Sequence, residues 1–315
     1  MFQAGNDIRA DWQHALARRF GDELGILLRQ LGAEVRHAQE LTRLVSSRQR
    51  KAAFRLLLTD GRQVKARKFK TPEEAALALS LSPLLDDRHF SRTLAAFGSS
   101  SIEEWVSGVA PAANEISPEQ ARRAGALLGE LHGTKALPDS ATAALSIAEH
   151  VALMDTHLAA LTRQQVLSAV QADRVREQAL MNCPASFEPG LIHGDFCVDN
   201  MIVDGAGRLV LIDNESLCPG ALDFDLARSW CRWPMTDACR LAFAEGYRQY
   251  RELDTFFNHR MFWAVRALLM SVYVHVKHGR PCPSALAALL RLGAGAEDGF
   301  WAALPCVERE SPGRA

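Results

Sequence analysis

The amino-acid sequence predicts an α+β protein with two lobes, a small N-terminal lobe that contains an antiparallel sheet and a larger C-terminal lobe that is mostly helical. Strand-like alternation and a hairpin signal are concentrated in the first hundred residues, whereas helical spacing dominates after residue 116. The predicted boundaries are 1–103 for the first lobe, 104–110 for a connector, 111–303 for the second lobe and 304–315 for a disordered tail. A chain of 315 residues is long enough to bury a sizeable core in this arrangement.

The N-terminal lobe is predicted to begin with a helix and to continue with a hairpin. The helix is indicated by apolar residues at helical spacing, with Gly32 as a candidate cap. These apolar residues are Trp12, Leu16, Phe20, Leu24 and Leu28. Asp60-Gly61 then joins two strand-like runs, and this dipeptide favours a two-residue hairpin turn.

A second helix is predicted to begin after Thr71. Thr71 can cap it, Pro72 suits the first helical position, and Glu74 has the spacing of a capping box. The stretch 99–111, SSSIEEWVSGVAP, is a short apolar run that ends in Ser, Gly and Pro. This pattern indicates a strand followed by the connector.

The C-terminal lobe contains a single island of strands among its helices. Ser117-Pro118 and Gly133 bound the first of these helices. The island consists of GLIHGD (190–195) and the hairpin NMIVDGAGRLVLIDNE (200–215), after which helical patterns resume to about residue 301.

The composition and the net charge of the chain argue against nucleic acid and membranes as its binding partners. The 36 basic residues nearly balance the 37 acidic ones, so no net field favours nucleic acid or a membrane surface. The seven cysteines form no CxxC pair and the N-terminus has no signal-peptide pattern, so a cytoplasmic location is expected. The most apolar segment, 261–276, is short and carries Arg266 near its middle, which favours a core helix over a membrane span.

Polar side chains follow the apolar runs of the strand island. Asp195 ends the first run, Asn200 comes five residues later, and Asp213 ends the second strand of the hairpin. A tight loop and a hairpin can bring these three side chains together. An amide and a carboxylate are ligands that suit Mg²⁺, and the remaining carboxylate could then deprotonate a hydroxyl.

His193-Gly194-Asp195 with Asn200, followed by IDNE and by PGALDFDLA (219–227), resembles the signature of the aminoglycoside phosphotransferase and choline kinase-like family of small-molecule kinases. The resemblance implies a protein-kinase-like fold and a transfer of the γ-phosphoryl group of ATP to a small-molecule hydroxyl, with Mg²⁺. It also implies Asp195 as the catalytic base, His193 as a support of the loop and Asp225 as its brace. Asn200 and Asp213 would be the magnesium ligands.

The same resemblance implies a strand cation that contacts the ATP phosphates and a helix glutamate that pairs with it. In DGRQVKARKFK (60–70), alternation places Lys65 and Arg67 on one face and Lys68 on the other. The small residue before it argues for Lys68, whereas the distance from the Asp-Gly turn favours Arg67. The expected glutamate is Glu73 or Glu74, and a surface role for the basic run is the alternative.

Two further nucleotide contacts are expected from the resemblance. The stretch 44–54 would cover the phosphates, although it carries Ser46-Ser47 where protein kinases have glycines. The connector resembles the hinge of the family, in which the main chain of Glu104 and Val106 would contact adenine. A plain edge strand and linker is the alternative, and no Walker sequence occurs.

The acceptor is not identified by the sequence, and an aminoglycoside-, amino-alcohol- or sugar-like molecule would suit the family. Trp230 and Trp233 could border it or could belong to the core. The expected partner is this small molecule, without nucleic acid or membrane, and a homodimer stays open. The alternative function is a pseudokinase that binds nucleotide or a partner without catalysis. A protein-directed kinase is less favoured because no Ala-Pro-Glu follows Asp213.

Overall fold

The structure of the chain, a computed structural model, describes residues 4–41, 52–111, 116–134, 144–233 and 235–296. These residues form two compact units. The first contains the described residues up to 111, residue 134 and residues 199–219, and the second contains the remainder. Within the described ranges, no helix combines the length and the apolar character that a membrane crossing needs.

The helices and strands alternate in the first part of the chain, and helices predominate later. The helices are α1 (Ala4–Phe20), α2 (Glu23–Gln30), α3 (Pro72–Leu81), α4 (Pro118–His132), α5 (Ile147–Arg163), α6 (Ala169–Met181), α7 (Leu222–Arg232), α8 (Asp237–Tyr247), α9 (Asp254–Asn258), α10 (Arg260–Lys277) and α11 (Pro283–Gly293). The strands are β1 (Val35–Glu40), β2 (Ala52–Leu58), β3 (Gln63–Lys68), β4 (Thr93–Phe97), β5 (Ser100–Glu104), β6 (Gly108–Val109), β7 (Pro189–Ile192), β8 (Met201–Asp204), β9 (Leu209–Leu211) and β10 (Cys218–Ala221).

The first unit is built on a five-stranded antiparallel sheet with the order β1-β2-β3-β5-β4. The predicted turn at Asp60-Gly61 lies between β2 and β3, but the connection comprises residues 59–62 and is longer than the predicted two-residue turn. Gly61 has a φ of 88°, and the Asp60 side chain accepts the Arg62 N–H at 2.9 Å. A positive φ suits glycine because it lacks a Cβ, so the sequence fixes this turn locally.

The core beneath this sheet comes from the N-terminal helices. Trp12, Leu16 and Phe20 of α1 and Leu24 of α2 pack in one cluster with residues of β2, β3 and β5. The sequence predicts one helix up to Gly32, whereas the structure divides it at Gly21, which has a φ of 56°. The division turns the direction of the chain while both helices keep their apolar faces in the same core.

A smaller sheet with the order β6-β8-β9 also belongs to the first unit. Its β8–β9 hairpin is the one predicted in the stretch 200–215. Leu211 of β9 forms two main-chain hydrogen bonds with the segment before β4. Its N–H donates to the carbonyl of His89 at 2.8 Å, and its carbonyl accepts the N–H of Ser91 at 3.0 Å. These bonds attach the hairpin to the N-terminal part of the chain.

The second unit is helical around a two-stranded pairing of β7 and β10. α4 and α8 approach closely because glycines lie at their contact: a Cβ on Gly125 would meet the carbonyl oxygen of Phe243, and one on Gly246 would meet that of Arg122. α10 packs against α5, α6, α7 and α11. Its buried residues confirm that segment 261–276 is a core helix.

The predicted α+β class is therefore confirmed, with an antiparallel sheet in the first unit and mostly helices in the second. The helix predicted after Thr71 begins as expected, since the Thr71 hydroxyl accepts the Glu74 N–H at 3.3 Å. The segment expected to cover the phosphates is described only from residue 52, and the expected tail 304–315 lies outside the described residues.

Candidate active site

The first unit contains a cavity of about 830 Å³. Its walls come from β3, from the connector after β5, and from the ends of the β8–β9 hairpin. Lys65 and Arg67 line it from β3, Glu104 and Val106 from the connector, and Asn200 and Asp213 from the hairpin ends. Five of the residues singled out in the sequence thus border one cavity together with Lys65.

Arg67 is the centre of a buried charge cluster beside this cavity. Its Nε lies 2.6 Å from Oε1 of Glu103, and its other nitrogens contact Asp213 and Glu215. Lys65 Nζ lies 2.5 Å from Oδ1 of Asp213 and 3.6 Å from Oε2 of Glu103. Two cations and three carboxylates therefore share the site, and Arg67 is only 5% exposed.

The cluster holds its members in their charged forms. Burial raises the pKa of Asp213, but the positive charges of Arg67 and Lys65 outweigh it, so the pKa lies well below its ordinary range. The same two cations lower the pKa of Glu103 against its burial. Burial opposes the charged form of Arg67, and Glu103, Asp213 and Glu215 raise its pKa above the ordinary value. Arg67, Glu103 and Asp213 are thus ionised at neutral pH.

Asn200 and Asp213 have the chemistry of a magnesium site. The carbonyl of Asn200 accepts the Ile212 N–H at 2.8 Å, which ties Asn200 to the residue that precedes Asp213. Asp213 adopts a left-handed backbone conformation, with φ 66° and ψ 43°. Such a conformation is uncommon outside glycine and is concentrated at functional sites. An amide oxygen and an ionised carboxylate on one cavity fit a hard divalent cation.

The connector borders the same cavity. Glu104 is held in place by Arg92, whose carbonyl accepts the Glu104 N–H at 2.9 Å and whose guanidinium lies 2.6 Å from its carboxylate. Val106 and the neighbouring residues 105–108 line the cavity beside it. The guanidinium of Arg55 lies 4.6 Å from the ring centre of Trp105, which orders that side chain. A flat apolar ring with polar edges would suit this wall.

Lys68 and Glu74 lie elsewhere. Lys68 Nζ lies 2.6 Å from Oε2 of Glu23 and is not among the cavity residues, because alternation along β3 turns it to the opposite face from Arg67. Glu74 accepts the N–H of Lys70 at 3.0 Å and closes the start of α3. The glutamate that pairs with Arg67 is Glu103 from the adjacent strand, and neither Glu73 nor Glu74 takes that place.

In the second unit, Asp225 anchors the loop that carries Asp195. Its carboxylate accepts the N–H groups of His193 at 2.7 Å and Gly194 at 2.9 Å, and it lies 3.3 Å from Nε2 of His132. Nδ1 of His132 lies 2.8 Å from the hydroxyl of Tyr247. Burial raises the pKa of Asp225, but contact with His132 and the His193 N–H lowers it overall. An ionised, fully buried carboxylate therefore holds two consecutive amides.

Asp195 is positioned by its own loop and by α7. Its N–H donates to Nδ1 of His193 at 3.2 Å. Its carboxylate lies 3.0 Å from Nη2 of Arg228 and also pairs with Arg232. These arginines stand one turn apart, so both face the loop from the same side of α7.

Several of these charged residues were not predicted as site residues. Lys65 could have been found by its alternation with Arg67, and Arg228 with Arg232 by their spacing on an amphipathic helix that follows Asp225. Glu103 carries no local signal because its relation to Arg67 depends on strand pairing. By contrast, both Trp230 and Trp233 are buried and pack against Phe243, which agrees with the core interpretation.

Comparisons with known proteins agree with this architecture. Residues 101–256 match the sequence model of the "Phosphotransferase enzyme family". The structure is similar to ADP-bound aminoglycoside phosphotransferase APH(2'')-Ib, with a TM-score of 0.61, 17% identity and coverage of 88% of this chain and 98% of that chain. It is similar to choline kinase from Cryptosporidium parvum Iowa II, with a TM-score of 0.62, 10% identity and coverage of 87% and 92%.

A third similar structure is macrolide 2'-phosphotransferase MphH from Brachybacterium faecium, with a TM-score of 0.57, 17% identity and coverage of 88% of this chain and 98% of that chain. No curated protein sequence matches the chain. The fold is therefore that of the protein-kinase-like small-molecule phosphotransferases.

The predicted family resemblance is confirmed by the match of residues 101–256 to the phosphotransferase enzyme family. A phosphotransferase is also the enzyme class that the sequence predicts, and the match of residues 101–256 agrees with it.

Proposed function

We propose that the chain transfers the γ-phosphoryl group of ATP to a hydroxyl of a small molecule, with Mg²⁺ and with Asp195 as the base. One observation carries this proposal: the cations Lys65 and Arg67 border the same cavity as the oxygen donors Asn200 and Asp213. A triphosphate needs cations and a divalent ion close together, and few other ligands need both.

The nucleotide is proposed to bind in the cavity of the first unit. Lys65 and Arg67 would contact its phosphates, and the main chain of Glu104 and Val106 would contact the edge of adenine. The cavity volume of about 830 Å³ is large enough for a nucleotide. The similar aminoglycoside phosphotransferase was solved with ADP bound, which supports a nucleotide as the donor.

Asn200 and Asp213 would hold Mg²⁺, which supplies charge neutralisation at the phosphates when it is bound. The ionised carboxylate of Asp213 suits a divalent cation, and a bound cation would offset the excess of carboxylates over cations in this cluster. Positioning and charge complementarity then account for most of the expected acceleration.

Asp195 is proposed to accept the proton of the acceptor hydroxyl. The hydroxyl oxygen forms a bond to the γ-phosphorus, the bond from that phosphorus to the bridging oxygen breaks, and ADP leaves with the electron pair. Asp225 fixes the loop through the amides of His193 and Gly194, and Arg228 orients the Asp195 carboxylate. The enzyme is proposed to act in the cytoplasm, where ATP is available.

The decisive experiment measures ATP consumption across a panel of aminoglycosides, amino alcohols, sugars and hydroxy acids. Asp195→Asn is expected to lower kcat by roughly 10²–10⁴-fold, because it removes the proton acceptor. It should leave nucleotide binding unchanged, because Asp195 does not line the cavity of the first unit. Asp213→Asn is expected to weaken the Mg²⁺-dependent part of nucleotide binding. Unchanged turnover in Asp195→Asn would remove this residue from the mechanism.

A nucleotide-binding protein without catalysis is the second candidate. It is favoured by the two arginines on the Asp195 carboxylate, which both engage its Oδ1. This candidate predicts Mg²⁺-dependent nucleotide binding, unaffected by Asp195→Asn, and no ATP consumption with any acceptor of the panel.

A further inference from the structure

The middle of α10 carries a buried arginine that forms no ion pair with any residue that the structure describes. Arg266 is 4% exposed, and its Nε and Nη1 have no hydrogen-bond partner among the described residues. Its guanidinium lies 4.9 Å from the ring centre of Phe224. A buried charge normally has an ionic or hydrogen-bonding partner, since desolvation is costly, so this site has donor capacity that the described chain does not satisfy.

The arginine that orients Asp195 lies beside this site. Arg228 contacts Phe224 on the same helix and Met270 of α10, with its Nη1 3.0 Å from the Met270 sulfur. Its Nε is likewise buried without a partner among the described residues, while its Nη2 contacts Asp195. Burial and the charge of Arg228 lower the pKa of Arg266 to about 10, which leaves it protonated at neutral pH.

The neighbouring side chains offer no negative charge to Arg266. Burial and the charge of Arg266 lower the pKa values of His150 and His157 to about 4, so both rings are neutral. The Asp195 carboxylate is already paired with Arg228 and Arg232. The remaining carboxylate that acts on Arg228, Asp225, is engaged by loop amides.

Arg228, Arg232 and Arg266 together carry three positive charges. Asp195 and Asp225 carry two negative charges, so one positive charge is in excess. A single surplus charge matches a carboxylate, which carries one negative charge, better than a phosphate group, which carries nearly two. Met270 is partly exposed and packs on Arg228, so its side chain lies at the edge of this site. Its unbranched side chain can rotate away without disturbing the helix.

We propose that the acceptor carries a carboxylate, which binds the unsatisfied donors of Arg266 and Arg228 and presents its hydroxyl to Asp195. The acceptor class is then hydroxy acids and hydroxy amino acids. This inference rests on the proposed function for the reaction, but the carboxylate site itself can be tested without turnover. Guanidinium groups pair strongly with carboxylates, particularly where water is excluded.

The first experiment compares matched acceptors in the ATP-consumption assay. Serine and 4-hydroxybutyrate are each compared with their carboxamides, which keep the hydroxyl and lose the charge. A charge-assisted hydrogen bond predicts a kcat/KM that is roughly 10–100-fold higher for the carboxylates. Equal use of both forms, or preference for the carboxamides, overturns the inference and leaves the proposed kinase function in place.

The second experiment changes the arginine. Arg266→Met should raise the acceptor KM at least tenfold and leave the KM for ATP within twofold, and Arg266→Lys should restore part of the affinity. Lys277→Met is the matched control, since it removes one positive charge from an exposed position of the same helix. An unchanged acceptor KM in Arg266→Met overturns the inference.

The third experiment needs no catalysis. The midpoint of thermal unfolding is measured with and without 4-hydroxybutyrate, its carboxamide and inorganic phosphate. The inference predicts stabilisation by the carboxylate in the wild type and in Lys277→Met but not in Arg266→Met, even if no acceptor is phosphorylated and the proposed function fails. If only phosphate stabilises the wild type, or if none of the three ligands does, the inference is overturned. If Arg266→Met does not fold, the comparison of the three ligands on the wild type still tests the inference.

Discussion

Asp223 and Asp225 lie two residues apart in α7, both are buried, and the pKa values of their carboxyl groups shift in opposite directions. Burial raises the pKa of Asp223 from 3.8 to about 6, and the nearby charge of Glu188 adds to it. Asp225 is fully buried, yet its contacts with His132 and with the loop amides lower its pKa. Burial alone therefore does not decide whether these carboxyl groups are ionised. The hydrogen-bond donors and positive charges around each group decide it.

The two carboxyl groups should give opposite pH dependences of stability. The contribution of Asp223 is fully present below pH 3.8 and is lost as pH rises through about 6, because the native state prefers its protonated form. Asp223→Asn should therefore be more stable than the wild type at pH 7, by up to about 3 kcal/mol, and equal to it near pH 4. Urea unfolding between pH 4 and 8 measures this difference.

Asp225→Asn is the matched comparison for that experiment. The pKa of Asp225 is lowered in the native state, so its contribution is present above its ordinary pKa of 3.8 and is lost on acidification. This variant should lose stability at pH 7 and approach the wild type at low pH. If both variants respond to pH in the same direction, the opposite shifts are refuted.

Glu103→Gln should destabilise the first unit by roughly 3 kcal/mol, because it leaves the buried Arg67 with less compensating charge. Glu104→Gln is the control. The pair of Glu104 with Arg92 is largely exposed and should contribute less than about 1 kcal/mol. The free energy of unfolding of each variant is measured in urea. Equal losses would show that the burial of the Arg67 cluster has no energetic weight.

Lys65→Met should raise the Kd for ATP by roughly tenfold or more, since the proposed phosphate site lies on the face of β3 that carries Lys65 and Arg67. Lys68→Met removes the same charge from the opposite face, where Lys68 pairs with Glu23, and should change the Kd less than about twofold. Calorimetric titration with ATP and Mg²⁺ compares them. A larger effect at Lys68 would place the phosphates on the other face of the strand.

Gly125→Ala should destabilise the second unit by about 1–3 kcal/mol, although alanine favours helices more than glycine does. The added methyl group would meet the carbonyl oxygen of Phe243, so α4 and α8 would have to separate. Gly205→Ala is the control, because nothing lies within 4 Å of its added Cβ. Thermal unfolding of both variants tests this, and a neutral Gly125→Ala would show that the helices can adjust freely.

The elements that the sequence predicted well are those with local signals. Asp60-Gly61 fixes its turn, and Thr71 and Ser117 begin their helices through hydrogen bonds to residues three positions away. Gly21 shows the limit of such patterns. The apolar spacing continues through it, and the periodicity gives no sign of the break that its positive φ produces.

The site residues that belong to the sequence motif could be predicted. Those that reach the site through strand pairing, or through the face of a helix, were missed. Asn200 and Asp213 were found from the motif and border one cavity. Glu103 was missed because it meets Arg67 only through the pairing of β3 with β5. Arg228 acts on a carboxylate 33 residues earlier in the chain, which no local pattern reveals. The catalytic and metal-binding roles of these residues stay predictions.

The left-handed backbone at Asp213 limits which replacements can occur there during evolution or in the laboratory. Of the side chains that carry a Cβ, asparagine tolerates such a conformation about as well as aspartate, and branched residues do not. Drift at this codon can therefore remove the charge without straining the backbone mainly through asparagine or glycine. A homologue with either residue here would keep its backbone and lose the carboxylate that we propose as a magnesium ligand.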